Sequence, residues 1–205
     1  QGLSYQGATL ARLAASIKLR GERGSIIASL AGSRGRSFDF QTQTRLEPDR
    51  IEVSGSGTID RKPVRLIGPA VLTSEGENWL LHRTSLEFAG GQAQVTGLFG
   101  AGRTEFNVNV SQVPLAIADI LFPRSGLGGN ASGTVSYQQV AGQFPNGRAD
   151  VRIRGLTRSG LVLSSRPVDV GVTAILGAGN TAARAIAVSG GQMIGRAQVQ
   201  IHPAK

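Results

Sequence analysis

The stretch Glu105, Phe106, Asn107, Val108, Asn109, Val110 sets an apolar side chain at every second position, with polar residues between. Successive side chains of a strand point to opposite faces, so this period of two reads as a β-strand with one apolar face and one wet face. The same reading extends outward in both directions. Toward the N-terminus Leu13, Ala15, Ile17 and Leu19 alternate, as do Phe38 and Phe40 with Thr42 and Thr44, and Ile51, Val53 and Ile59 across Gly55 and Gly57. Val64 with Leu66, Leu86 with Phe88, and Ala93 with Val95 and Phe99 fill the interval. Toward the C-terminus follow Val135 and Tyr137, Val151 and Ile153, Leu161 and Leu163, then Val168, Val170 and Val172, and finally Val199 and Ile201. Turn-forming residues separate these runs: Gly32 to Gly35, Glu47 to Asp49, Asp60 to Pro63, Ser74 to Asn78, Gly90 with Gly91, Gly100 to Gly102, Pro145 to Gly147, and Gly190 with Gly191. Short intervals between strands predict consecutive antiparallel hairpins and an all-β chain. Such a sheet can close as a barrel, pack as a sandwich, or stay open and curl into a half-pipe; the periodicity is the same in all three.

Two segments depart from the pattern. Between Pro114 and Pro123, the residues Leu115, Ile117, Ile120, Leu121 and Phe122 read as one or two helical turns or a plug. This divides the chain into a first run of strands over 1–112, a short helical segment over 113–124 and a second run over 125–205. In Asn180 to Val188, Ala182, Ala183 and Ala185 favour helix by propensity, while Ile186 and Val188 alternate; a strand is the expectation.

Composition narrows the function classes. The 205 residues include no cysteine, which excludes disulfides and thiolate metal sites, and the length suffices to fold without covalent staples. No leader peptide and no run of about 18 apolar residues is visible, so the chain reads as part of a longer protein whose anchor lies elsewhere. The net charge of +9 is carried almost wholly by arginine, the lysines being Lys18, Lys62 and Lys205. Cationic surface attracts nucleic acid, anionic lipid head groups and acidic partners alike. Arg148, Arg152, Arg154, Arg158 and Arg166 lie close in sequence, with Arg152 and Arg154 opposite in facing to Val151 and Ile153, as on a solvated outer face. Stacking-type nucleic-acid modules interleave such arginines with aromatics, but Tyr137 and Phe144 are the nearest here; no nucleic-acid partner is expected.

Catalytic patterns are not found. His82 and His202 stand alone, without ligand spacing, so no metal is expected. Gly126 to Ala131 and Gly177 to Ala182 both match G-x-G-x-x-A. The first runs into an alternating strand instead of a helix, and the second lacks the acidic residue that a dinucleotide site needs about twenty positions later. Asp119, Asp150 and Asp169 read as turn or edge solvation. No enzyme activity and no cofactor are expected.

One ordered series of features carries a family resemblance. Val113-Pro-Leu-Ala-Ile-Ala-Asp-Ile-Leu-Phe-Pro123 is followed by Gly126-Leu-Gly-Gly-Asn-Ala-Ser-Gly-Thr-Val-Ser-Tyr137, then a Phe144-Pro-Asn-Gly147 hairpin, Ala149 to Gly155, and Leu156-Thr-Arg-Ser-Gly160. This arrangement resembles the TamB family (translocation and assembly module subunit, among the AsmA-like, bridge-like lipid transfer proteins). The resemblance implies a β-taco or half-pipe within an inner-membrane-anchored protein that crosses the periplasm of a Gram-negative bacterium. It implies phospholipid acyl chains as cargo, an outer-membrane Omp85-type partner, and a part in outer-membrane protein assembly, with membrane association through segments outside this chain. The groove would then be lined by Ile51, Val53, Ile59, Val64, Leu66, Leu86, Phe88, Val95, Phe99, Phe106, Val108 and Val110. Val135, Tyr137, Val151, Ile153, Leu161, Leu163, Val168, Val170 and Val172 would continue it. The alternative is an adhesin-like β-sandwich or β-solenoid interaction module without a groove. An outer-membrane barrel would carry aromatic girdles, and Trp79, Tyr5 and Tyr137 are the chain's only Trp and Tyr residues.

Overall fold

In a computed structural model of the chain, residues 3–5, 8–121, 125–158 and 166–202 are described. Fifteen strands follow in order: β1 (Leu3–Tyr5), β2 (Ala8–Arg20), β3 (Arg23–Arg34), β4 (Arg36–Glu47), β5 (Arg50–Ile59), β6 (Lys62–Ile67), β7 (Ala70–Glu75) and β8 (Asn78–Phe88). Then come β9 (Gly91–Gly100), β10 (Arg103–Pro114), a 3-10 turn (Leu115–Ile117), α1 (Ala118–Leu121), β11 (Leu127–Val140), β12 (Asn146–Arg158), β13 (Val168–Gly177), β14 (Asn180–Ser189) and β15 (Gln192–Ile201).

All strands belong to one antiparallel sheet in which each pairs with its neighbours in sequence. The single variation is local. β6 and β7 are two halves of one column: β5 pairs β6 through Ser56–Ile59 and β7 through Arg50–Val53, and β8 meets the two halves in the same order. Gly68, at φ 79°, and Pro69 separate them, the glycine supplying a left-handed turn and the proline lacking a ladder donor. The expected strand over Asn180 to Val188 is β14. The sequence pattern did not single out β3 or β7, whose Ile26-Ile27 and Val71-Leu72 pairs put apolar residues on both faces.

Of the three architectures open to an alternating chain, two disagree with this topology. β1 and β15 are the ends of the strand order and do not pair, so the described strands do not close a barrel. There is one sheet, and its elements touch almost only their own ladder neighbours, so no second layer covers it. The accessible surface agrees: it is 13747 Å², against about 9,100 Å² for a compact monomer of this mass. A meander of antiparallel strands is likewise not a solenoid of parallel rungs.

Adjacent strands β10, β11 and β12 each carry a bulge toward the same end of the sheet, between Val110 and Val113, Gly128 and Asn130, and Ile153 and Leu156. Gln112, Gly129 and Gly155 have positive φ there. An extra residue frees backbone groups from the ladder, and side chains of the next strand take two of them: Gln112 N–H donates to Ser132 Oγ (2.9 Å) and Gly155 N–H to Asp169 Oδ1 (2.8 Å). Bulges in register sharpen the local twist.

The helical segment lies at this end. It occupies the β10–β11 connection without dividing the sheet, because β10 and β11 pair directly from Arg103 to Pro114. Strand structure runs two residues past the expected boundary at 112, to Pro114, and the helical residues are Leu115 to Leu121; Phe122 lies outside the described residues.

Candidate functional site

Residues directly opposed in antiparallel strands project from the same side of a sheet, so the register defines two faces. One row reads Leu66, Leu86, Ala93, Val110, Gly133, Val151, Val172, Ala185, Ala197 from β6 to β15. Another reads Leu13, Leu30, Phe40, Gly57, Val64, Phe88, Gly91 from β2 to β9. These rows belong to one apolar face that runs the width of the sheet. Bulges at Leu81/Thr84 and Val110/Val113 keep β8 and β10 in phase with their neighbours beyond each irregularity.

All the described residues named from the sequence as groove lining share this face, whereas Ile186 and Val188 of β14 lie on the other. Ile51 is opposite Leu46 and Leu72, Val53 opposite Thr44, Ile59 opposite Phe38, and Val95 opposite Val108, itself opposite Val135. Phe99 is opposite Trp79, Phe106 stacks on Tyr137 across the strands with ring centroids 5.2 Å apart, Ile153 meets Val170, and Val168 is beyond the bulge opposite Leu156. Leu161 and Leu163 lie outside the described residues. The sequence reading missed Leu30, Leu46, Leu72 and Leu81 on the same face and did not assign Phe38 and Phe40 to it. Doubled apolar pairs hid Leu72 and Leu81, as Val71-Leu72 and Leu80-Leu81 carry no parity of their own.

Small residues shape the face where backbones come close. A Cβ on Gly57 would fall 2.6 Å from the Phe40 ring and 2.1 Å from the Asp39 carbonyl oxygen. One on Gly133, at φ 150°, would fall 2.0 Å from the Asp150 carbonyl oxygen.

The two faces are unequally shielded. Along β12 the apolar-face residues Ala149, Val151 and Ile153 are half-buried, whereas Arg148, Asp150, Arg152 and Arg154 are exposed; β14 repeats the alternation. Full burial of apolar side chains among the described residues is confined to Ile59, Val64 and Phe88, the last only 1 % exposed. Phe40, Leu86, Val113 and Ile117 pack on these three, so the helical segment covers this end of the face. At the first long strand Leu13 and Ile17 are exposed, as are Val199 and Ile201 on the last.

A charged cluster holds the cover in place. Arg36, at the start of β4, donates from Nε to Asp119 Oδ2 (2.7 Å) and from Nη1 to Asp60. Asp119 Oδ1 accepts from the Ser125 hydroxyl and from Gly126 N–H (2.8 Å). The Ser125 hydrogen bond, opposed by burial, holds the Asp119 carboxyl below its usual pKa; the Arg36 hydrogen bond, again against burial, does the same for Asp60. Asp119 is therefore no solvated turn residue: it is buried and anchors the segment, because its neighbours supply three donors. Asp169 is exposed and receives the Gly155 bulge N–H, while Asp150 is exposed on the polar face.

His82 is exposed and shares a hydrogen bond with Thr73 Oγ1 (2.9 Å), and His202 pairs with Asn180 Oδ1 (2.7 Å). Among the described residues no cluster of three or more His, Asp or Glu side chains could hold a metal, and no helix is long and apolar enough to cross a membrane. Surface hollows such as one of about 380 Å³ lined by Gln94, Thr96, Asn107, Asn109 and Thr134 lie on the polar face, in troughs between rows of side chains. Compared with family models, with curated proteins and with solved structures, the chain finds no match.

Proposed function

We propose that this chain is a segment of a lipid-conducting sheet of the TamB, AsmA-like kind, and that its apolar face shelters phospholipid acyl chains on their way between membranes. The observation that carries the reading is the continuous apolar face from β2 to β15 with no second layer of protein over it. A sixteen-carbon chain exposed to water costs on the order of 12 kcal/mol, at about 0.8 kcal/mol per methylene, so a conduit must replace that contact without interruption. Opposed rows of Val, Leu, Ile and Ala do so, and a sheet of fourteen columns about 4.8 Å apart extends the contact over about 60 Å.

Two features support a curl of the sheet toward this face. Along β12 and β14 the apolar residues are less exposed than their polar-face neighbours, although no second layer covers either face there. An ion pair also joins the start of β4 to the segment after β10, five columns away and thus about 24 Å in a flat sheet. In the full-length protein such a segment would work in the periplasm of a Gram-negative bacterium beside an Omp85-type partner, in outer-membrane biogenesis. A second reading, an interaction module, is favoured by the exposed apolar residues at both sheet edges, which would suit a protein partner.

A photoreactive side chain separates the two readings. Placed at Val135 it faces the apolar side, and at Thr134 the polar side. Phospholipid adducts from Val135 and none from Thr134 support the conduit; protein adducts alone from Val135 favour the module.

A further inference from the structure

We infer that the polar face of β12 to β15 docks on an anionic phospholipid layer. The charge of the chain is unevenly placed: residues 3–121 carry thirteen basic and eleven acidic side chains, residues 125–202 seven arginines and two aspartates. In the first set Arg12, Arg36, Arg45, Arg50, Arg65 and Arg103 have carboxylate partners. In the second, Arg148, Arg152, Arg154, Arg184 and Arg196 have none among the described residues, and all are exposed. Of the two acids, Asp169 is taken by the Gly155 N–H.

Register places these arginines on one surface. Arg152 is opposite Gly171, Gly171 opposite Ile186, and Ile186 opposite Arg196, a row about 14 Å long. Arg148 is opposite Ile175. Gly171 leaves open space between Arg152 and Ile186, since a Cβ there would meet nothing within 4 Å. Ile175 and Ile186 are 58 % and 43 % exposed on a face where the pattern of the chain puts polar residues.

Unpaired guanidinium groups spread over an open surface, with aliphatic tips between them, fit phosphate head groups above an apolar layer: arginine binds phosphate in a fork and isoleucine enters the acyl boundary. These arginines have no hydrogen-bond or ion-pair partner among the described residues, so each is free to meet the phosphates of a fluid layer. The surface lies on the side of the sheet opposite the apolar face, so the inference stands apart from the groove reading.

The test is co-sedimentation of the chain with vesicles of phosphatidylcholine alone and with vesicles also containing phosphatidylglycerol, at low and high salt. Binding should need phosphatidylglycerol, fall at high salt, and drop on the order of a hundred-fold in an R152S/R154S/R184S variant, about five-fold per arginine. A control variant R45S/R65S/R103S, with the same change of net charge, should bind as the parent does. Thermal unfolding followed by circular dichroism checks that both variants are folded. Equal binding to both vesicle types, equal loss in both variants, or retention on immobilised poly-glutamate without vesicle binding would each overturn the inference.

Discussion

The strands before the helical segment and those after it form one sheet by one rule of pairing, yet they are built from different side chains. From β2 to β10 the apolar face carries Phe38, Phe40, Trp79, Leu81, Phe88 and Phe106, and the helical segment closes over one end of it. From β11 to β15 it also carries Tyr137, Ile153, Leu156, Leu176 and a run of valines, but Gly133, Ala149, Ala174, Ala183, Ala185 and Ala197 make up much of the rest. The charges differ in parallel: Arg12, Arg36, Arg45, Arg50, Arg65 and Arg103 of the first part are paired to acids, whereas among the described residues no arginine of the second part is. Full side-chain burial thus concentrates where large residues meet a cover. The first part is the anchored region, and the second gains little from its small side chains.

The largest effect should come from the covered end. Phe88→Ala removes the most buried side chain and should cost about 3–5 kcal/mol, whereas Val172→Ala, half-buried, should cost about 1 kcal/mol. Urea unfolding of both variants measures the difference, and equal losses would break the contrast between the two parts.

Next is the charged anchor. Asp119→Ala leaves Arg36 with one of its two partners and frees the Ser125 and Gly126 donors, at a cost of about 2–3 kcal/mol. The same cluster sets a pH dependence. Asp60 and Asp119 have folded pKa values below their unfolded ones, so their contribution is complete above the unfolded carboxylate range and is lost as pH falls through the lowered values. Melting temperature should therefore drop below about pH 4, and less so in Asp119→Asn; an identical drop in that variant would remove the anchor from the account.

Glycines test the second part more finely. Gly133→Ala meets both a positive φ and a carbonyl contact and should cost about 2 kcal/mol. Gly171→Ala meets open space at an ordinary φ and should stabilise by about 0.5 kcal/mol. Thermal melts of the two report whether β11 is as closely apposed to β12 as the register implies. The smallest effect is at the paired polar surface of the first part: Glu87→Gln, which weakens an exposed bond to Arg65, should change unfolding free energy by less than about 1 kcal/mol in urea titrations.

Much of this architecture is legible in the alternation itself. Val95, Val108, Val135 and Val151 announce their common face because each sits between polar neighbours, and the antiparallel meander follows from turn residues spaced about a strand apart. Ile26-Ile27 and Val71-Leu72 hid β3 and β7, since adjacent apolar residues have no period. The choice of an open sheet over a sandwich or barrel was not legible, because the side-chain pattern of a strand is the same whichever layer it meets. The Arg36–Asp119 bond joins residues 83 apart in sequence, and the unpaired arginines of β12 to β15 become one surface only once register aligns them.

Native mass spectrometry of the purified chain, with extraction of bound lipid, shows whether acyl chains occupy the apolar face when Val108→Asp is compared with Asn107→Asp. These neighbours on β10 point to opposite faces, so both variants carry the same new charge in the same strand. Phospholipid is expected on the parent and on Asn107→Asp, and its loss from a still-folded Val108→Asp. A parent without lipid, or lipid retained equally by both variants, would contradict the conduit.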